Sequence, residues 1–203
     1  MVLKRKSNLP KKHNRRRQDF IAAWLRAPLK MGAIVPSSRG LARAMAAQVD
    51  ADHPGVVIEL GAGTGVVTDA LLEAGVSPKR LIVIEREPKL CGILAVQFPH
   101  LNILCEDAAH LDRVLAKMGH PRVNAIVSSL PMLTLPKTLT KTIQRQMAGL
   151  IGEDGIIVQF TFGAKSPLNR NDLRKYSVSG KRVKIVLTNV PPAHVWVYQR
   201  EVP

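Results

Sequence analysis

Aromatic residues are scarce in this chain, at 4% of 203 residues, which argues against a surface built to stack bases. Cysteine is nearly absent too. Cys91 and Cys105 form no C-x-x-C pair, which excludes a disulfide scaffold and a cysteine zinc site and fits a reducing compartment. The six histidines are scattered without the spacing of metal ligands, so no metal is expected. Acidic residues number half the basic ones, 15 against 30, and the net charge of +15 calls for an anionic partner, either nucleic acid or a membrane surface. No apolar run reaches the ~18 residues of a transmembrane helix. The basic N-terminus lacks the apolar stretch of a secretory signal. The length suits one domain with a good core and a terminal extension.

What is present is organised around Val56-Val57-Ile58-Glu59-Leu60-Gly61-Ala62-Gly63-Thr64-Gly65. An apolar run ends in an acid and three alternating glycines, and Val66 to Leu72 then reads as a helix. Strand, Gly-rich turn and helix build a ligand cradle at the carboxyl end of a first strand. Val66 breaks the dinucleotide pattern G-x-G-x-x-G, and the Gly-Lys-Ser/Thr of a phosphate loop is missing. A carboxylate two residues before the first glycine suits a cationic ligand better than a pyrophosphate. The pattern E-x-G-x-G-x-G resembles motif I of the class I S-adenosylmethionine-dependent methyltransferases, in which the Gly loop holds the methionine part of the cofactor.

Residues 1–30 carry ten Lys and Arg against Asp19 alone, so much of the charge is an addition to the domain at 31–203. Lys12 to Ala27 reads as a helix stopped by Pro28, with Phe20, Ile21, Trp24 and Leu25 on one stripe. Such a basic amphipathic helix resembles an interfacial membrane anchor, which makes residues 1–27 the candidate contact with an anionic membrane. After Pro36, Ser37 is the expected N-cap of a helix from Leu41, and Ser37 and Ser38 are candidates to lie against a cofactor. Leu81 to Ile84 is a second buried strand, ending in Glu85, where an α/β fold places the carboxylate that receives ribose hydroxyls. Glu87 to Phe98 reads as the next helix. Leu101 to Cys105 is a third strand before Glu106-Asp107-Ala108. Val123 to Val127 is a fourth, running into Ser128-Ser129-Leu130-Pro131-Met132-Leu133. Thr134 to Leu150 reads as a helix, Gly152 to Gly155 as a turn and Ile156 to Thr161 as a fifth strand. The polar, basic stretch Gly163 to Gly180 reads as a loop or short helix over the site. Val183 to Val190 and His194 to Arg200 read as a closing antiparallel hairpin.

M-G-A-I-V-P-S-S, E-L-G-A-G-T-G, V-I-E-R, E-D-A and S-S-L-P-M-L together resemble the bacterial phospholipid N-methyltransferases across residues 28–200. The resemblance implies a seven-stranded mixed sheet of order 3-2-1-4-5-7-6, an α/β Rossmann-like fold with its last strand antiparallel. It implies S-adenosylmethionine as cofactor and S-adenosylhomocysteine as product. It places Ser37, Ser38, Glu59, Gly61, Gly63, Thr64, Gly65, Glu85, Arg86, Asp107, Ala108 and Ser128 on the cofactor, with Asp107 preferred over Glu106 for the adenine amino group. The substrate implied is the amine of phosphatidylethanolamine, methylated once or repeatedly towards phosphatidylcholine, with Ser128, the Leu130 carbonyl or Tyr176 orienting the amine or taking its proton. The enzyme is expected in the cytoplasm, peripheral to the inner face of the cell membrane. The alternative is an rRNA adenine N6-methyltransferase. That family grips a flipped base with Asn/Asp-x-Pro-aromatic, whereas here Ser128 or Ser129 replaces the amide and Met132 the aromatic, which disfavours nucleic acid.

Overall fold

The computed structural model describes residues 38–201. The basic helix expected in the N-terminal extension, and Ser37, lie outside the described residues. Seven strands form one sheet: β1 (Val56–Leu60), β2 (Leu81–Glu85), β3 (Asn102–Cys105), β4 (Val123–Ser128), β5 (Ile151–Thr161), β6 (Val178–Val186) and β7 (Ala193–Arg200). Their order is β3-β2-β1-β4-β5-β7-β6, as expected. The first five are parallel, and β7 runs antiparallel to both β5 and β6. β2 and β4 are apolar almost throughout because helices cover both faces of the sheet.

The helices are α1 (Arg39–Ala46), α2 (Val66–Glu73), α3 (Pro88–Gln97), α4 (Leu111–Lys117), α5 (Lys137–Leu150) and α6 (Arg170–Arg174). On one face α4, α5 and α6 close over Ile58, Leu60, Ile84, Ile126, Ile157 and Tyr198. Strand alternation turns Val57 and Glu59 to the other face, where α1 packs on α2 and α2 meets α3. The N-cap of α1 is Ser38, whose Oγ accepts from the Leu41 N–H at 3.1 Å, and not Ser37, because the helix already begins at Arg39.

Strands β5 and β6 start earlier than the sequence reading placed them. β5 starts at Ile151, and Gly152–Gly155 is a bulge inside the pairing, which steps from Val123↔Ile151 to Ala125↔Ile156. A Cβ at Gly155 would lie 2.9 Å from the Val123 carbonyl oxygen, so the strands approach closely there. β6 starts at Val178, inside the stretch read as a loop. Gly180 lies beneath the Tyr198 ring, which occupies the space of its missing side chain.

The carboxyl ends of β1 to β5 share one edge of the sheet. Thr161 pairs with His194 and Val186 with Ala193, so the turn between β6 and β7 lies on that edge too. Val178 pairs with Arg200, next to the Gln199↔Ile156 pair, so β6 begins at the opposite edge.

Candidate active site

The Gly-rich turn after β1 is fastened from both sides. Gly61 donates its N–H to the Ile84 carbonyl at 2.8 Å, and Ser129 donates to the Leu60 carbonyl at 2.9 Å. Gly63 donates to Glu85 Oε2 at 2.9 Å. Two of the three glycines meet side chains. A Cβ on Gly65 would lie 2.6 Å from Phe98 Cε2, so α2 begins packed on α3. A Cβ on Gly61 would lie 2.8 Å from Leu130 Cδ2, so the turn nests against the loop after β4. At Gly63, with φ +58°, nothing stands within 4 Å. There the bare backbone faces open space, and half-buried Thr64 follows it.

Glu59 is fully buried beneath this turn. Its Oε2 accepts from Thr68 Oγ1 at 2.6 Å, while Oε1 has no hydrogen-bond partner among the described residues. Burial pushes its pKa up to about 8, against the Thr68 hydrogen bond and with a smaller push from the Glu85 carboxylate. A buried acid with a bare oxygen below a Cβ-free cradle suits a cationic ligand.

Glu85 closes the second side. Its Oε1 accepts from the Glu87 N–H at 2.8 Å while Oε2 holds Gly63, and each oxygen keeps a further lone pair. Asp107 caps a single 3-10 turn (Ala108–His110), its Oδ1 accepting from the Ala109 N–H at 2.9 Å. Arg86 is mostly exposed, with Nη1 3.7 Å from Asp107 Oδ2. Glu106 leans away to Lys117, 3.4 Å from its Nζ. Ser38 joins the same edge, because its N–H donates to Asn189 Oδ1 in the β6–β7 turn at 3.3 Å. The turns and caps holding Ser38, Gly61 to Gly65, Glu85, Arg86, Asp107, Ala108 and Ser128 thus meet along one edge.

The three residues expected to handle the amine fare differently. Ser128 is buried at the end of β4, and its Oγ accepts from the Leu130 N–H at a long 3.4 Å. The Leu130 carbonyl is already filled, by the Met132 N–H at 2.9 Å and Gln159 Nε2 at 3.0 Å, so both lone pairs are spent inside the protein. Tyr176 stands just before β6, at the far edge of the sheet, against Gly149 at the end of α5. The structure does not bring it to the site. Its segment descends the α5 face to that edge and does not lie over the cradle. Arg174 and Lys175 go with it, and Lys175 pairs with Asp172 at 3.6 Å. Met132, which stands where the base-gripping motif has its aromatic, is buried in the core, and Leu133 is the exposed member of that loop.

The site gives Ser129, the alternative to Ser128 in the sequence, a distinct place, and it gains Gln159 and Thr68, which the sequence did not single out. Ser129 Oγ is shielded from solvent without a partner among the described residues, beside the filled Leu130 carbonyl. Gln159, a lone amide inside the apolar run of β5, pins the loop from below and leaves its own Oε1 bare. Its amide among Ile and Val was the available signal. Thr68, the partner of Glu59, had none beyond its place in the first turns of α2.

No protein-family model matches the chain. It is 27% identical over 145 residues to an ornithine lipid N-methyltransferase of Singulisphaera acidiphila, covering 70% of this chain and 76% of that one. It is 33% identical over 135 residues to a ribosomal RNA small subunit methyltransferase A of Phenylobacterium zucineum, covering 54% of this chain but only 46% of that one. Among solved structures, Burkholderia thailandensis 1,6-didemethyltoxoflavin-N1-methyltransferase, with bound 1,6-didemethyltoxoflavin and S-adenosylhomocysteine, superposes with a TM-score of 0.61 at 16% identity over 98% of this chain and 94% of that one. With its strand order, antiparallel β7 and Gly-rich turn after β1, the chain has the Rossmann-like class I methyltransferase fold.

Proposed function

We propose that this chain is an S-adenosylmethionine-dependent methyltransferase that methylates the primary amine of a membrane lipid, peripherally, at the inner face of the cell membrane. Phosphatidylethanolamine is the first substrate to test and an ornithine lipid the second, since both offer a primary amine above acyl chains. The observation that carries the lipid reading is the loop after β4. It offers two small hydroxyls, Ser128 and Ser129, where a base-gripping site needs an amide, and Met132 is folded into the core where an aromatic would stack. The likeness to an ornithine lipid enzyme over 70% of the chain supports it.

The cradle fits the cofactor. Gly63 leaves its Cβ space open, the bare oxygen of Glu59 beneath the turn suits a cationic group in the cradle, and Glu85 and Asp107 offer acceptors on the neighbouring strand ends. When bound, S-adenosylmethionine supplies an electrophilic methyl group on its sulfonium. The rest falls to the chain. A primary alkylamine holds its proton up to about pH 10 in water and must shed it to attack. Burial beside Leu130 penalises the ammonium form. Ser129 Oγ, the unspent acceptor of the loop, receives an amine N–H and aims the lone pair, with Ser128 behind it. No titratable side chain among the described residues hydrogen-bonds to either hydroxyl, so the contribution is alignment and desolvation.

The similarity to rRNA enzymes and the charge of +15 favour nucleic acid as the second reading. Labelled S-adenosylmethionine offered in parallel to liposomes of each lipid and to ribosomal RNA separates the two. Label in lipid supports the proposal. Label in RNA alone overturns it.

A further inference from the structure

The edge of the sheet that carries the site also carries a crest of exposed apolar side chains that no described residue covers. At the carboxyl ends the strands succeed one another as β4, β5, β7 and β6. The loop after β4 exposes Leu133 at 57%, and the β6–β7 turn exposes Leu187 at 75% and Val190 at 85%, with Pro191 and Pro192 beside them. Three interstrand spacings of about 4.8 Å separate these two ends, so the crest spans about 14 Å. Single exposed apolar residues are ordinary, but Leu187 and Val190 share one turn with two exposed prolines, and Leu133 lies farther along the same edge.

The turn is also held in place. Asn189, buried between Leu187 and Val190, accepts from the Ser38 N–H and donates Nδ2 to the Pro191 carbonyl at 2.7 Å. It anchors the turn to α1 while its neighbours face outward. Below the tip, the outer strand β6 exposes Lys181, Arg182 and Lys184, none in an ion pair among the described residues. From Leu173 to Arg200 the sequence contains no Asp or Glu.

We infer that the β6–β7 tip, with Leu187 and Val190, inserts into the interface of an anionic lipid bilayer while the β6 cations meet its phosphates. This rests on the lipid-amine reading and deepens it: the crest would seat the mouth of the site on the surface where the amine lies. Apolar insertion and cationic contact together match a bilayer. A nucleic acid would use the cations but leave Leu187 and Val190 in water.

The test follows the tip itself in the full-length chain. In a Cys91→Ala/Cys105→Ser background, Leu187→Cys carries an environment-sensitive nitrobenzoxadiazole label, and Val96→Cys on α3 is the control. Vesicles of phosphatidylglycerol and phosphatidylcholine in equal parts should raise emission at 187, with quenching by bromolipids, and leave position 96 unchanged. In the otherwise natural chain, Leu187→Ser/Val190→Ser should weaken sedimentation with the same vesicles by about tenfold, the partition expected from two apolar side chains at an interface. Cofactor binding should be unchanged. Silence at 187 while the protein sediments with vesicles overturns the tip, as does a signal raised only by RNA or by protein concentration. Because the label reads contact and not turnover, an emission rise without lipid methylation would retain the tip and remove the lipid-amine function. Methylation with a silent tip would do the reverse.

Discussion

Neighbouring glycines in the turn do unlike jobs. Alanine at Gly63 forces a side chain into the left-handed region, at about 1–2 kcal/mol, and puts a methyl into the cradle without a clash. Alanine at Gly65 adds a 2.6 Å collision with the Phe98 ring, which α3 cannot easily relieve. Gly63→Ala should therefore melt only a few degrees lower yet bind S-adenosylmethionine at least tenfold more weakly by calorimetry, while Gly65→Ala should lose more in melting temperature. Equal melting losses with intact binding at Gly63 would contradict this division. Glu59 gives a pH signature. Its folded pKa of about 8 lies above its ordinary 4.5, so the native state holds the proton more tightly than the unfolded chain. The stability from this group is complete below the lower value and drains away as pH rises through the upper one, by at most about 1.4 kcal/mol per pH unit. Glu59→Gln, which keeps an acceptor for Thr68, should match the parent near the acid end and melt progressively higher than it towards about pH 8. A pH-independent difference would mean that Glu59 is ionised in the folded protein. At Ser129 the bare hydroxyl predicts a loss of turnover without a loss of fold. Ser129→Ala should lower kcat by about tenfold or more with KM for the cofactor and the melting temperature retained, because no internal hydrogen bond is broken.

Helix α5 is joined to the segment before α6 by a reciprocal pair. Buried Gln144 donates Nε2 to the Asn169 carbonyl at 2.8 Å and accepts its N–H at 2.9 Å. Gln144→Ala would leave the Asn169 N–H without its partner, while the Asn169 carbonyl keeps the Leu173 N–H at 3.1 Å, so a loss of about 1 kcal/mol and a fall of a few degrees in melting temperature are expected with kcat per folded molecule intact. A matching fall in kcat would tie this segment to the site after all. The same region marks where sequence ceases to report structure. Strands β1, β2 and β4 were legible because burial on both faces demands unbroken apolar runs. Val178-Ser179-Gly180 reads as loop because an edge strand buries little, and because Gly180 serves as the floor for Tyr198, its partner across the β6–β7 pairing. The cradle was legible because its glycines and acids sit at strand ends, where period and chemistry change together. Tyr176 was misread for the complementary reason: a strand placed a few residues late puts the residue before it at the wrong edge of the sheet. The state of the Leu130 carbonyl depends on Gln159, which is adjacent only through the pairing of β4 with β5.

At the scale of the whole molecule the excess charge is divided. Residues 1–30 hold ten cations and one anion, leaving +6 of the +15 to the remaining chain. The described parts of the cradle hold one another, since α1 has its own cap at Ser38 and the Gly-rich turn is braced by β2 and the loop after β4. Removing residues 1–27 should therefore leave S-adenosylmethionine affinity unchanged. It should nonetheless reduce methyl transfer to lipid in anionic vesicles, because each Lys or Arg near such a surface contributes up to about 1 kcal/mol. Salt should reproduce the effect in the intact chain and have less influence on the truncated one, as the Debye length shortens and the charges are screened. The β6–β7 tip should leave the truncated protein with residual, less salt-sensitive vesicle binding, which Leu187→Ser/Val190→Ser then removes. If the two contacts act independently, their losses multiply in the binding constant. Lipid methylation that survives truncation undiminished at low salt would assign the N-terminal charge to some other anion, and leave the apolar crest as the contact that brings the site to its substrate.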